Sequence, residues 1–237
     1  MRIDKFISCT GTASRREAAA LAKKGGVTVN GETVRDLSRH IDPETDRVVY
    51  GGETIVYRKY TYVMLNKPEG YVSATDDRSA PFVMELLPPE FSKAGMFPCG
   101  RLDKDTVGLM IITNDGPLAH MLLHPKRHVS KTYRFSCESA LIPEAERKFE
   151  AGIDLGDFVS AGARLVCGEN RMGGEVTISE GKYHQIKRMF TALGNRITYL
   201  ERISFGGVDL DPGLARGEWR LCTDDEIATL KTNFEAK

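Results

Sequence analysis

Gly100-Arg101-Leu102-Asp103-Lys104-Asp105-Thr106-Val107-Gly108-Leu109-Met110-Ile111-Ile112-Thr113-Asn114-Asp115-Gly116 runs from a charged segment straight into an apolar, β-branched one. Residues 107–113 carry no charge and end on three turn-forming residues, which predicts a buried central strand closed by a turn. Such a strand is rigid. It holds the loop that bears Asp103 in a fixed place.

Outward from this strand, residues 62–68, 71–74, 131–138, 175–179 and 197–205 carry strand patterning. They alternate with short helical segments at 118–123, 144–151, 184–193 and 224–230. This mixed order predicts an α+β domain with an extended mixed, mostly antiparallel sheet flanked by helices, and disfavours a doubly wound parallel sheet. Thr223-Asp224-Asp225-Glu226 is a capping box and fixes the start of the last helix.

The first sixty residues read differently. Ser14-Arg15-Arg16-Glu17 is another capping box, from which a helix runs with Ala18, Ala19, Leu21 and Ala22 on its apolar side until Gly25-Gly26 stops it. Arg16, Lys23 and Lys24 fall near one another on that helix and make a basic stripe. Residues 27–34 are two short alternating runs joined by Asn30-Gly31, the pattern of a tight hairpin, and residues 46–50 are a third strand candidate. Arg58-Lys59-Tyr60 reads as a linker. The expected domains are therefore 1–58 and 59–237.

Composition narrows the function classes. A formal net charge of zero gives no general support for a nucleic-acid partner, yet residues 1–60 carry net +3 and the rest net −3. The first segment is the better polyanion contact. Five scattered cysteines, Cys9, Cys99, Cys137, Cys167 and Cys222, include no Cys-x-x-Cys pair, which disfavours zinc and a disulfide framework. With no spanning-length apolar stretch and no signal-peptide pattern, a cytoplasmic protein is expected, with no membrane partner.

Several tempting constellations fail on spacing. Asp103-x-Asp105-x-x-Gly108 begins like a calcium loop, but Val107 occupies a ligand position and Asn114 stands where the bidentate glutamate belongs. His120, His124 and His128 recur every fourth residue, but Pro125 should break the helix that would align them. No phosphate-binding glycine loop occurs in strand-to-helix context, so no nucleotide cofactor is expected, and no metal.

What remains is Asp103 with three partners. Arg101, two residues earlier in an extended loop, can lie beside the carboxylate. Tyr133 sits in Lys131-Thr132-Tyr133 on a strand, and Glu180-Gly181-Lys182-Tyr183-His184-Gln185-Ile186-Lys187-Arg188-Met189-Phe190 feeds a helix from a glycine-led turn. Each has an ordinary explanation as well: a surface ion pair, a core aromatic, and the solvated side of a helix that packs through Ile186, Met189, Phe190 and Leu193.

Resemblance decides between these readings. Arg2-Ile3-Asp4-Lys5-Phe6, Ser14-Arg15-Arg16-Glu17-Ala18 and Gly26-Val27-Thr28-Val29-Asn30-Gly31 resemble the α-L RNA-binding domain, which implies a small module of two helices and a hairpin. Its basic residues Arg15, Arg16, Lys23 and Lys24 are then expected to contact RNA phosphates. Asn66-Lys67-Pro68-x-Gly70-Tyr71, Gly100-Arg101-Leu102-Asp103-x-Asp105-Thr106-x-Gly108-Leu109, Lys131-Thr132-Tyr133 and Glu180 to Met189 occur in order, and together they resemble the pseudouridine synthases of the RsuA/RluB group.

That resemblance implies isomerisation of a uridine in RNA, without cofactor or metal, on a base flipped out of its helix. It makes Asp103 the essential carboxylate, attacking sugar or base or taking the ribose 2′ proton. Tyr133 is expected to stack on the uracil and assist proton removal, and Lys187 to supply the counter-charge in a largely dehydrated site. Relatives in other branches carry arginine at the Lys187 position. Ile186 would line the uracil pocket and Arg101 would help fill the vacated space. Lys182 to Met189 and Lys131-Thr132-Tyr133 look most like group members acting on 16S rRNA, so ribosomal RNA or a subunit-assembly intermediate is the expected partner of a monomeric enzyme. A 23S target, a non-catalytic rRNA-binding assembly factor, and a tRNA- or DNA-binding regulator are the alternatives.

Overall fold

The computed structural model describes residues 1–10, 12–55 and 59–235. The chain divides into two units, Met1–Thr61 with Glu90–Gly95, and Tyr62–Pro89 with Met96–Lys237. Arg58, which opens the expected linker and marks the 58/59 boundary, lies outside the described residues.

In the first unit, helix α1 (Ile3–Cys9) precedes α2 (Arg15–Lys23). The expected capping box starts α2: the Ser14 N–H donates to Glu17 at 2.8 Å and the Glu17 N–H donates to the Ser14 hydroxyl at 3.3 Å. Ala18 and Ala22, one turn apart, are fully buried against Ile3, Phe6 and Ile7 of α1 and Val27 and Val48 of the sheet. Ala19 is exposed and Leu21 half-buried, so the apolar stripe is narrower than the composition of the helix allows. Strands β1 (Val27–Val29) and β2 (Glu32–Thr33) meet through Asn30 and Gly31, both at positive φ (52° and 87°), as the tight hairpin requires. Strands β3 (Val48–Tyr50) and β4 (Glu53–Ile55) complete the order β2-β1-β3-β4. Strand β3 begins later than expected because Asn30 holds Asp46 and the Arg47 N–H, each at 2.8 Å. Helix α3 (Pro89–Lys93) is also grouped with this unit.

The second unit is built on β5 (Tyr62–Lys67), β6 (Phe97–Pro98), β7 (Val107–Thr113), β8 (Lys131–Cys137), β9 (Arg164–Cys167), β10 (Gly173–Ile178), β11 (Ile197–Phe205), β12 (Val208–Asp209) and β13 (Trp219–Leu221). Their order is β13-β5-β7-β11-β8-β10-β9, with β6 on β7 and β12 on β11. Among the described residues β7 and β11 form the one parallel pair of this sheet, so it is mixed and mostly antiparallel, as expected. All seven residues of β7 are buried. Gly108, at φ +101°, lets β11 approach: a Cβ there would lie 2.3 Å from the Arg202 carbonyl oxygen.

Helices α4 (Gly116–Leu123), α5 (Ala145–Ala151), α6 (Gln185–Ala192) and α7 (Asp224–Glu235) belong to this unit. Asp115 ends β7 and caps α4, accepting from the Leu118 N–H at 3.0 Å while the buried Tyr62 hydroxyl donates to it at 2.6 Å. The box at Thr223 starts α7, with Glu226 accepting from the Thr223 N–H at 2.7 Å. One expected strand is absent. Residues 71–74 make only a single bridge, Val72 to Phe82, because Ser73 turns its hydroxyl to both the N–H and the carbonyl of Leu102, at 2.9 and 2.8 Å. That stretch supports the Asp103 loop instead of extending the sheet. The short strands β6, β9, β12 and β13 carry too few residues for alternation to reveal. The five cysteines are free: Cys99, Cys137 and Cys222 are buried, Cys167 is half-buried and Cys9 is exposed. Among the described residues, no helix is long and apolar enough to cross a membrane.

Candidate active site

The loop between Gly100 and β7 is shaped from beneath by a lysine. Lys67, the last residue of β5, is fully buried, and its ammonium donates to the carbonyls of Thr106 (2.7 Å), Asp103 (3.0 Å), Pro68 (3.2 Å) and Lys104 (3.3 Å). The Thr106 N–H closes the turn onto the Asp103 carbonyl at 3.1 Å. Burial pulls the Lys67 pKa down to about 8 against the attraction of Asp105, Asp103 and Glu69. The cage uses backbone oxygens only, which leaves the Asp103 side chain free to point elsewhere.

It points at α6. Lys187 Nζ lies 3.0 Å from one Asp103 oxygen and 2.5 Å from Asp105, and His184 Nε2 lies 3.5 Å from the other Asp103 oxygen. Burial alone would lower the Lys187 pKa, but its hydrogen bonds to Asp105 and Asp103 outweigh burial and raise it. Burial likewise pushes Asp105 up, and Lys187 overcomes that to hold it below its ordinary value. The Asp103 side chain is 29% exposed and that of Lys187 24%, so the site is less dehydrated than the resemblance implies.

Residues 180–184 are pinned ahead of α6 by a relay. The Lys182 N–H donates to the Gln185 side-chain oxygen (3.0 Å), the Gln185 amide donates to Glu180 (2.6 Å), and Glu180 accepts from the Ala161 N–H (2.8 Å). His184 closes this turn in the left-handed region, φ 49° and ψ 28°, a conformation that costs on the order of 1–3 kcal/mol without glycine. Beyond it Ile186, Met189 and Phe190 pack inward, with the Phe190 ring edge-on to Phe135 at 4.7 Å and Phe149 at 5.4 Å. This anchoring fixes the turn on which Lys187 leaves the helix toward Asp103.

Tyr133 is brought in from β8, whose residues alternate between buried and more exposed positions, and is 7% exposed, paired across the sheet with Val176 and Arg202. Asp103, Tyr133, Ile186 and Lys187 line one open cleft, walled by Ile178 and Leu200.

Two expectations need correction. Arg101 also lines the cleft and is exposed, but it makes no ion pair with Asp103 among the described residues. Arg101 and Asp103 flank the buried Leu102 and face the same cleft, but the Asp103 carboxylate is taken by Lys187 and His184. Nor are Lys187 and Arg188 a solvated helix side. Arg188 donates to the Leu155 carbonyl at 2.9 Å, pairs with Asp157 and lies 5.2 Å over the Phe158 ring.

The sequence reading missed three residues: Lys67, Asp105 and His184. Lys67 had a readable signal, a lysine closing an apolar strand run just before Pro68. Asp105 and His184 stood inside the quoted motifs without a role of their own, because only the fold brings Asp105 to Lys187 and His184 to Asp103. In the first unit Arg15, Arg16, Lys23 and Lys24 are exposed on α2 and its C-terminal cap, and none is in a salt bridge among the described residues. His120 and His124 meet edge-on at 5.6 Å, and among the described residues no three His, Cys, Asp or Glu side chains are grouped to hold a metal ion.

Comparison with known proteins bears on what this cleft does. Residues 61–192 match the family described as RNA pseudouridylate synthase, and residues 1–48 match the S4 domain. An uncharacterised RNA pseudouridine synthase of Bacillus subtilis (strain 168) is 44% identical over 97% of this chain and 98% of its own. The ribosomal small subunit pseudouridine synthase A of Escherichia coli (strain K12) is 39% identical over 97% of this chain and 100% of its own. A crystal structure of a pseudouridylate synthase superimposes with a TM-score of 0.68 at 35% identity, covering 97% of this chain and 99% of that one.

Proposed function

This chain belongs to the RNA pseudouridylate synthase family, and on that premise we propose that it converts one uridine of 16S ribosomal RNA to pseudouridine, with Asp103, Tyr133 and Lys187 as its catalytic residues. The observation that carries the site assignment is that an acid, a phenol and a cation from three separate elements line one cleft. The full-length similarity to a small subunit synthase supports the 16S target.

The reaction breaks the bond from N1 of uracil to C1′ of the ribose, turns the base and rejoins it through C5, which loses its proton while N1 takes one up. Nothing is gained or lost overall. The uridine must leave its helix to reach Asp103, at a cost of a few kcal/mol of unstacking. Asp103 supplies the carboxylate that acts on the flipped nucleoside, and Lys187 holds it there as its charge partner. Tyr133 offers the detached uracil a flat face and a hydroxyl, and Ile186 closes the apolar side of the pocket. Arg101, unpaired at the cleft edge, is placed to enter the gap left in the RNA stack. The exposed cations Arg15, Arg16, Lys23 and Lys24 give an RNA-binding domain, residues 1–58, its phosphate-binding face, and residues 59–237 carry the chemistry. The enzyme acts as a cytoplasmic monomer on rRNA of the assembling small subunit.

Chemical mapping of pseudouridine in 16S and 23S rRNA, with and without the gene, tests the target. One 16S site should vanish, and loss of a 23S site instead would overturn it. Asp103→Asn in the purified enzyme should abolish pseudouridine formation while leaving RNA binding and melting temperature near wild type. Substantial turnover by that variant would remove Asp103 from its role.

A further inference from the structure

Beside the cleft stands an aromatic side chain that the reaction above does not use. Tyr183 is 73% exposed, the most exposed of the large hydrophobic side chains among the described residues, and it lies between Lys182 and His184, which both line the cleft. One face of its ring is covered: the His184 imidazole stacks on it at 3.8 Å between centroids and 17° between planes. The same imidazole reaches to 3.5 Å from Asp103. The opposite face of Tyr183 is open.

An exposed aromatic costs solubility and, on a loose loop, would gain little by ordering. This loop is not loose. His184 is held in a left-handed conformation by the Lys182–Gln185–Glu180 relay, so the ring is presented at a set height beside the catalytic carboxylate. Lys182, which lines the cleft, is fixed as well, its ammonium 3.4 Å above the centre of the Phe158 ring, so the same short turn carries an immobilised positive charge one residue before the open aromatic. A flat π surface and a fixed cation on one turn match the parts of a nucleotide, a base and its phosphate.

We propose that Tyr183 and Lys182 form a second nucleotide subsite, in which Tyr183 stacks on the unpaired base adjacent to the target uridine and Lys182 takes the phosphate between them. This rests on the reading of the cleft as the uridine pocket. Filling the subsite extends the stack base–Tyr183–His184 up to Asp103, so the neighbouring nucleotide helps fix the register of the flipped one.

The test uses the full-length enzyme and an in vitro transcribed 16S rRNA fragment carrying the mapped uridine, in three forms: unmodified, and abasic at the nucleotide immediately 5′ or 3′ of that uridine. Stacking on an aromatic residue sets the expected scale, and Tyr183→Ala should lower kcat/KM on the unmodified fragment about tenfold, chiefly through KM. Tyr183→Phe and Tyr183→Trp should retain activity, whereas Tyr183→Leu should not. With wild type, one of the two abasic fragments should show the same loss, and combining it with Tyr183→Ala should add nothing further. Additive losses at both positions, or a Leu variant as good as Phe, would overturn the subsite. An Ala variant with unchanged KM would do the same. Failure of wild type to form pseudouridine in the unmodified fragment would instead count against the underlying reading. Melting curves of the variants guard against misfolding, which a side chain this exposed should not cause.

Discussion

The loop that carries Asp103 is gripped by two lysines whose surroundings are opposite. Beneath it, Lys67 is fully buried and donates to four carbonyl oxygens, and burial drags its pKa down to about 8. On the cleft side, Lys187 is partly open to water and held between two carboxylates, whose bonds outweigh its burial and raise its pKa. The first cation fixes the backbone and the second meets the side chain. Shape and chemistry of one short loop are thus assigned to different charges, and substitutions should separate them.

The largest separation is expected from Lys187→Met. Loss of a preorganised charge at a reacting group costs about 100- to 1000-fold in kcat, and the melting temperature should hardly move because Lys187 is partly solvated. Single-turnover kinetics beside a thermal melt measures both. An equal loss of stability would mean that Lys187, too, is part of the scaffold.

Lys67→Met should give the reverse pattern. Four loop carbonyls lose a shared donor in a buried place, a destabilisation of roughly 3 kcal/mol, readable as a shift in the denaturant midpoint. Any loss of activity should follow the loosened loop. If the variant melts like wild type, the cage is not what holds the turn.

These two lysines also mark what the sequence could disclose. Strand β7 was legible end to end, because an apolar β-branched run closed by turn residues has no competing helical period, and β11 was legible by its β-forming residues although its burial does not alternate. Asp103, Tyr133 and Lys187 were legible as residue types in ordered motifs, and the sheet accounts for their meeting. Residues 71–74 misled because Tyr71 and Val72 favour a strand, while the hydrogen bonds of the Ser73 hydroxyl go to Leu102. The expected Arg101–Asp103 pair failed because Lys187 and His184 take the Asp103 carboxylate, a competition that local alternation cannot foresee. The non-local pairings of His184 with Asp103 and of Lys187 with Asp105 have no signature in any short window.

pH should sharpen the contrast by moving stability and activity in opposite directions. Between about pH 8 and 10.5 the unfolded chain keeps the Lys67 proton that the folded chain has released, so Lys67 makes stability rise with pH across that window. Lys131, lowered to about 8 by burial and then by Arg202, adds the same sign. Activity should fall several-fold over the start of that window as the loop loses one N–H donor from Lys67. The raised pKa of Lys187 keeps its contribution intact up to and beyond 10.5. A pH–rate profile of wild type, Lys67→Met and Lys131→Met distinguishes the groups. The alkaline limb near pH 8 should vanish in the first variant and persist in the second, and a limb that survives Lys67→Met belongs to another group.

The smallest effect is expected from Asp105→Asn, and it decides how the cleft-side lysine is shared. Asp105 sits closer to Lys187 than Asp103 does, 2.5 against 3.0 Å, which on distance alone makes it the stronger partner. Exposure argues the other way: its side chain is 62% exposed against 29% for Asp103, so water and salt screen the outer pair more. An exposed pair of this kind is worth about 0–1 kcal/mol, and removing its charge should change kcat by less than about fivefold. Lys187 would then lean wholly on Asp103, and its pKa should fall because one of the two carboxylates that raise it is gone. Raising the ionic strength should reproduce most of the Asp105→Asn effect in wild type and little further in the variant. A loss comparable to that of Lys187→Met would instead make Asp105 the residue that positions the lysine, and the charge that meets Asp103 would then be set from the loop itself and not from α6.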